Sequence, residues 1–196
     1  KFVKSIASSL VALGISTIAY SNSWAENLKI GVAGPYTGEM SNYGISAKNG
    51  VTLAIKHINA AGGVLGTDLE AVSQDDACDS VKAACVAENM IAENVIAVIG
   101  HICSNSTEAA LPSYASANIP VISAASTNPN HTNEGKYPNF FRTISHEASQ
   151  AQLQVEFAVK ALGIKKAAVI FDQGNYGKEM AGLDRDGLEQ NGVKVL

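Results

Sequence analysis

Apolar residues in this chain fall into short runs and helical stripes that take turns. A first strand is predicted over 28–33, Leu-Lys-Ile-Gly-Val-Ala. From residue 45 to 61 the apolar positions Val51, Ala54, Ile55 and Ile58 recur at helical spacing, and Gly62-Gly63 supplies the positive φ that ends such a helix. Strand two is predicted over 69–73, helix two over 80–92, strand three over 95–99, helix three over 106–117 and strand four over 119–123. Residues 139–143 read as a short extended piece, 147–162 as helix, 166–171 as strand, 178–191 as helix and 193–196 as the first half of another strand. Strands alternating with helices in this way predict an α/β fold with a parallel, doubly wound sheet and right-handed crossovers. Val95-Ile-Ala-Val-Ile99 is apolar at every position, so it is expected mid-sheet with both faces covered.

Polar clusters sit at the strand ends, where open α/β sheets place their ligand sites. Strand three runs into Gly100-His-Ile-Cys103-Ser104-Asn105-Ser106-Thr107, and strand four into Ala124-Ala125-Ser126-Thr127-Asn128-Pro129. Asn105 and Glu108 have capping-box spacing. A helix starting there would point unpaired N–H groups into the crevice, beside the Ser104 and Thr107 hydroxyls, and suit a small anion such as a carboxylate. The turn-rich loop from Gly34 to Gly44 carries Tyr43 to the same edge, and Asp172-Gln-Gly-Asn-Tyr176-Gly177 is a further strand-end loop. A cleft with Tyr43, Ser104 and Thr127 on one side and Tyr176 on the other follows from that arrangement.

Composition narrows the class. Lys1-Phe-Val-Lys4, an apolar stretch from Ile6 to Tyr20 and Ser23-Trp24-Ala25 describe a secretory signal peptide over 1–25. The apolar stretch is too short and Ser-rich for a span of ~20 residues. Of 14 Lys and Arg residues, Lys1 and Lys4 lie in that segment, leaving 12 against 18 acidic residues and no basic stripe for nucleic acid. In an oxidising compartment Cys78 and Cys103, each following a strand, are placed to pair if the two strands are neighbours. Cys85 reads as a small buried residue inside the intervening helix. The chain begins without Met and stops within a predicted strand, so it reads as a fragment.

Other chemistries find little support. The glycines at 31, 34 and 38 do not match the dinucleotide fingerprint, and there is neither a Walker A sequence nor a Gly-x-Ser-x-Gly elbow. Asp75, Asp76 and Asp79 lack calcium-loop spacing and read as solvated turn acids. His101 stands alone and reads as structural; no orienting acid is assigned to a His101–Ser104 pair. No catalytic residue, metal site or cofactor is expected.

Five motifs in register carry a resemblance. Gly34-Pro-Tyr-Thr-Gly38, Asn59-Ala-Ala-Gly-Gly63, Asp75-Asp-Ala-Cys78-Asp79, Ile99-Gly-His-Ile-Cys103-Ser104-Asn-Ser-Thr107 and Ser126-Thr-Asn-Pro129 are similar to those of the leucine/isoleucine/valine-binding proteins of bacterial branched-chain amino acid ABC transporters. The resemblance implies a type I periplasmic-binding-protein fold of two lobes closing by a hinge. It divides the chain into a signal peptide (1–25), an incomplete first lobe (26–144) and the start of a truncated second lobe (145–196). It also implies a Cys78–Cys103 disulfide. Ser104 and Thr127 would hold the carboxylate and ammonium of an amino acid with the backbone around Ala125 and Ser126, Tyr43 would cover the ligand, and Tyr176 would close over it from the second lobe. The implied protein is a monomeric, non-enzymatic periplasmic component that delivers its ligand to an inner-membrane ABC permease. A ligand-sensing domain of the same fold in a receptor or regulator is the alternative, with a secreted enzyme behind it.

Overall fold

The computed structural model describes residues 26–133, 135–172 and 174–196, so the signal peptide expected over 1–25 lies outside the described residues. The elements run β1 (Leu28–Gly34), α1 (Ser41–Ala60), β2 (Leu69–Asp75), α2 (Ser80–Ala92), β3 (Ala97–Ile99), α3 (Ser104–Ser116), β4 (Val121–Ser123), β5 (Phe140–Arg142), α4 (Glu147–Glu156), β6 (Lys166–Ala167), α5 (Asn175–Gln190) and β7 (Lys194–Val195). A π-helical turn, Phe157–Ala161, continues α4. The first five strands form one sheet in the order β2-β1-β3-β4-β5, every pairing parallel, and β6 pairs parallel with β7 in a second sheet. The α/β parallel architecture expected from the alternating pattern is therefore present, with β3 at the centre of its sheet.

One face of that sheet carries the core. Val98 and Val121 pack with Val86, Ala87 and Met90 of α2 and with Ala110, Leu111 and Tyr114 of α3. Apolar residues on and just before these strands are not all covered: Ile96, preceding β3, and Ile122 of β4 are exposed, and Phe141 of β5 is 53% exposed. The expectation that strand three is covered on both faces is thus corrected. A continuous apolar run marks the centre of a parallel sheet, but the helices of the described residues cover only part of it.

The strand predicted over 166–171 shrinks to Lys166–Ala167. Backbone pairing explains this: β7 offers a ladder only as far as the Leu196 N–H, which donates to the Ala167 carbonyl. With no further strand beside it among the described residues, Ile170 is 92% exposed despite its β propensity. Val155, Leu188 and Val193 form a small separate core beside this second sheet.

Cys78 and Cys103 form a disulfide with Cα atoms 5.5 Å apart. They do not meet through neighbouring strands, because β1 lies between β2 and β3. They meet because the packed helices α2 and α3 both start at this edge: Cys78 precedes Asp79, the N-cap of α2, and Cys103 is the N-cap residue of α3. Cys85 is exposed, contrary to the expectation of a buried residue, since it lies outside the set Ala83, Val86, Ala87 and Met90 that α2 buries.

The turn acids are also not solvated as a group. Asp76 is fully buried and its carboxylate meets both the Cys78 N–H (2.8 Å) and His101 Nδ1 (2.5 Å). His101, also fully buried, lies 3.3 Å through Nε2 from the Tyr114 hydroxyl. His101 does not stand alone as its sequence context suggests, but is held between Asp76 and Tyr114. A buried carboxylate needs such partners to offset its lost hydration. Asp79 accepts from the Lys82 N–H and caps α2.

Candidate functional site

Because β1, β3 and β4 are consecutive parallel neighbours, their carboxyl ends share one edge of the sheet. Three loops leave from that edge, and each is fixed by a different device.

The loop after β1 is held by Asp75 at the end of β2. Its carboxylate accepts from the Tyr36 N–H (2.7 Å), the Thr37 N–H (3.3 Å) and the Thr37 hydroxyl (2.6 Å). Desolvation pulls the Asp75 pKa upward, but these bonds, with one from the Ala77 N–H, outweigh it and hold the carboxyl below its ordinary value. The helix that follows starts at Ser41, four residues before the predicted start, so Tyr43 stands in the first helical turn rather than in a loop. Its ring is 61% exposed at the edge. Gly44 permits this early start: a Cβ there would overlap the Pro35 carbonyl. Gly44→Ala gains about 1 kcal/mol of helix propensity and loses about 1–3 kcal/mol to that overlap, so a net loss of thermal stability is expected in a melting curve.

The loop after β3 begins at Gly100, whose φ is +137° and whose Cα faces the Ala33 backbone too closely for a side chain. Helix α3 then starts at Ser104, with Cys103 in extended geometry as its N-cap and no side-chain cap. The expected Asn105–Glu108 capping box is corrected here. The Asn105 amide instead donates to the Cys78 carbonyl (2.7 Å), reaching across the disulfide to the α2 loop. The first intrahelical bond runs from the Thr107 N–H to the Cys103 carbonyl, so the N–H groups of residues 104–106 precede the helical ladder. Ser104 is 5% exposed, and its hydroxyl makes no hydrogen bond among the described residues. Thr107 is withdrawn: it is fully buried and its hydroxyl donates back to Cys103.

The loop after β4 is built on Ser123. Its hydroxyl donates to the His101 carbonyl (2.5 Å) and accepts from the Ala125 and Ser126 N–H groups (3.2 and 2.9 Å), tying this loop to the previous one. Arg142 staples the far side, donating to the Ser126 carbonyl (3.2 Å), the Asn128 carbonyl (2.9 Å) and the Thr132 hydroxyl (2.9 Å). Ser126 is turned inward, buried with its hydroxyl 3.2 Å from His131 Nδ1. Neither the Ala125 carbonyl nor the Thr127 N–H has a hydrogen-bond partner among the described residues. The Thr127 hydroxyl donates to Glu147 Oε1 (2.8 Å), and the Glu147 N–H donates to the Thr127 carbonyl (3.0 Å). Burial pushes the Glu147 carboxyl up and Glu179 of α5 adds to this, while the Thr127 bond and Arg142 pull it down.

Of the residues singled out in the sequence, Tyr43, Ser104, Ala125, Ser126 and Thr127 thus belong to loops or helix starts at one sheet edge. Tyr176 belongs to the second sheet's unit, in the first turn of α5, which begins three residues before its predicted start. It is 46% exposed, with its hydroxyl 3.3 Å from the Gln150 amide nitrogen. Sequence reading missed Ser123, Arg142 and Glu147. An acid in a first helical turn passes as a partner of the helix dipole, and nothing local marks it as buried. Among the described residues, no group of three or more His, Cys, Asp or Glu side chains is arranged to hold a metal ion.

This arrangement can offer donors at the α3 N-terminus and acceptors at the β4 loop, side by side. A parallel α/β lobe with such a strand-end rim defines the type I class of solute-binding folds. The chain belongs to the periplasmic binding protein family, whose signature matches residues 27–196. It is 36% identical over 184 residues to the leucine-, isoleucine-, valine-, threonine- and alanine-binding protein of Pseudomonas aeruginosa, covering 94% of this chain and 49% of that one. It is 34% identical over 193 residues to the leucine-specific-binding protein of Salmonella typhimurium, covering 98% and 51%. Its fold matches a branched-chain amino acid transporter substrate-binding protein of Streptococcus pneumoniae in complex with isoleucine, with a TM-score of 0.78 and 28% identity, over 87% of this chain and 48% of that one. The chain therefore spans about half the length of the relatives it matches.

Proposed function

We propose that this chain supplies the first lobe (26–144) and the beginning of the second (145–196) of a periplasmic solute-binding protein, which passes a branched-chain or similar small amino acid to an inner-membrane ABC permease. The protein works as a monomer without a cofactor, binds its ligand without transforming it, and is exported by residues 1–25. The supporting observation is the similarity to branched-chain amino acid binding proteins along nearly the whole chain. The strand-end rim suits such a ligand. Ser104 and the amides at the start of α3, with the Thr127 N–H, present donors to a carboxylate; the Ala125 carbonyl and Thr127 Oγ1 present acceptors to an ammonium. Tyr43 forms an apolar wall, and Tyr176 closes from the second lobe.

In the full-length protein, Ser104→Ala and Thr127→Ala should each weaken leucine binding by about 1–3 kcal/mol, because each removes a hydrogen bond to a charged group. Isothermal titration calorimetry reads this directly. Unchanged affinity in both variants would rule the site out, and a wild-type protein that binds no amino acid, amide or urea would rule out the function.

A further inference from the structure

Glu147 is a fully buried acid behind the β4 loop. Its side chain is fully inaccessible, yet Oε2 has no hydrogen-bond partner among the described residues. Keeping a carboxyl there is costly unless it does something an apolar residue cannot. Two bonds attach it to one neighbour: its Oε1 accepts a hydrogen bond from the Thr127 hydroxyl and its N–H donates to the Thr127 carbonyl. A threonine hydroxyl has one hydrogen and two lone pairs. With the hydrogen committed to Glu147, Thr127 Oγ1 has only lone pairs left for anything in the cleft.

We infer that Glu147 is a positioning residue that fixes the Thr127 hydroxyl as an acceptor, so that this hydroxyl reads the ammonium of a ligand and not its carboxylate. The inference rests on the proposed amino acid site and deepens it by giving one contact a direction. The neighbouring geometry agrees. The unpartnered Ala125 carbonyl is a second acceptor two residues away, while the Ser104 hydroxyl and the α3 amides, the donors, lie on the adjacent loop. Ligands with a carboxylate but no amine then lose the Thr127 hydroxyl contact and keep only the backbone N–H, and ligands with an amine but no carboxylate keep the hydroxyl contact.

The test uses the full-length protein with leucine, leucinamide (ammonium kept, carboxylate neutralised) and isocaproate (leucine without its amino group). Glu147→Met removes the proton acceptor and should weaken leucine and leucinamide by about tenfold while changing isocaproate by about twofold or less. Glu147→Gln keeps an amide oxygen able to accept the same proton, and should restore leucine binding to within about threefold of wild type. A merely structural role for Glu147 would weaken all three ligands together, and that result overturns the inference, as does an unchanged leucine affinity in Glu147→Met. Thr127→Val leaves Glu147 in place and decides the matter if Glu147→Met does not fold. Selective loss of the two amines supports the assignment, whereas equal loss of isocaproate shows the hydroxyl donating to the carboxylate and overturns it. Failure of the wild type to bind leucine or any amino acid would instead remove the proposed function, and this assignment with it.

Discussion

Replacing Cys78 and Cys103 together by serine should lower the unfolding free energy by about 3–4 kcal/mol, the chain-entropy value for a closed loop of this length. The sequence separation is 25 residues. The bridge does more than shorten the unfolded chain. It joins the turn before α2 to the first residue outside α3, and the Asn105 amide bonded to the Cys78 carbonyl reinforces the same junction. Losing it should therefore loosen the start of α3, where Ser104 stands. Urea unfolding with and without reductant measures the effect: the reduced wild type should match the double serine variant. Cys85→Ser should change stability by less than about 0.5 kcal/mol, because an exposed thiol contributes no packing and takes no part in the bridge. A double variant as stable as the oxidised protein would show that the helix packing alone holds the junction.

Acid should destabilise the protein through His131. This residue is buried beside Ser126 and Phe140, with Nε2 unpartnered among the described residues. Desolvation first, and the Arg142 guanidinium second, depress its pKa from 6.5 to about 4. The depressed value fixes the sign. Below 6.5 the unfolded chain takes up a proton that the folded one refuses until about pH 4, so stability is fully present above 6.5 and drains away as pH falls to 4. At 1.36 kcal/mol per pKa unit, the full loss is about 3 kcal/mol. Because His131 and Arg142 hold the 124–128 loop between them, the candidate site should loosen over the same interval. Denaturant unfolding at pH 7, 6, 5 and 4 should show the decline, and His131→Phe, which keeps an aromatic ring against Phe140, should flatten it. An equal decline in the phenylalanine variant would assign the acid sensitivity to the carboxylates instead.

The elements written in local pattern were legible, and those that depend on a partner were not. Helix two has the boundaries its stripe predicts, Ser80–Ala92, because its apolar period, the Asp79 cap and the end of the stripe all lie within the segment. Strands three and four were placed correctly but observed only as Ala97–Ile99 and Val121–Ser123. A strand extends only where a neighbour's backbone meets it, and sequence does not say where pairing stops. The two first helical turns that carry Tyr43 and Tyr176 look like loops in the sequence because turn-forming residues fill both stretches. For α1, the close fit of Gly44 on Pro35, which makes its early start possible, is invisible in one dimension.

By itself the sequence determined the alternation of strands and helices, the parallel sheet, the polar residues waiting at its strand ends and the family they resemble, since each follows from periodicity, turn chemistry or motifs in order. Only the tertiary structure decided which groups at those ends remain available. It turned Ser126 and Thr107 inward, left the Ser104 hydroxyl and the Ala125 carbonyl without partners among the described residues, and set Arg142 and Glu147 behind the β4 loop. The reason is physical: a hydroxyl's role depends on which neighbour takes its proton, and in this fold that neighbour lies 20 residues along the chain, beyond another strand.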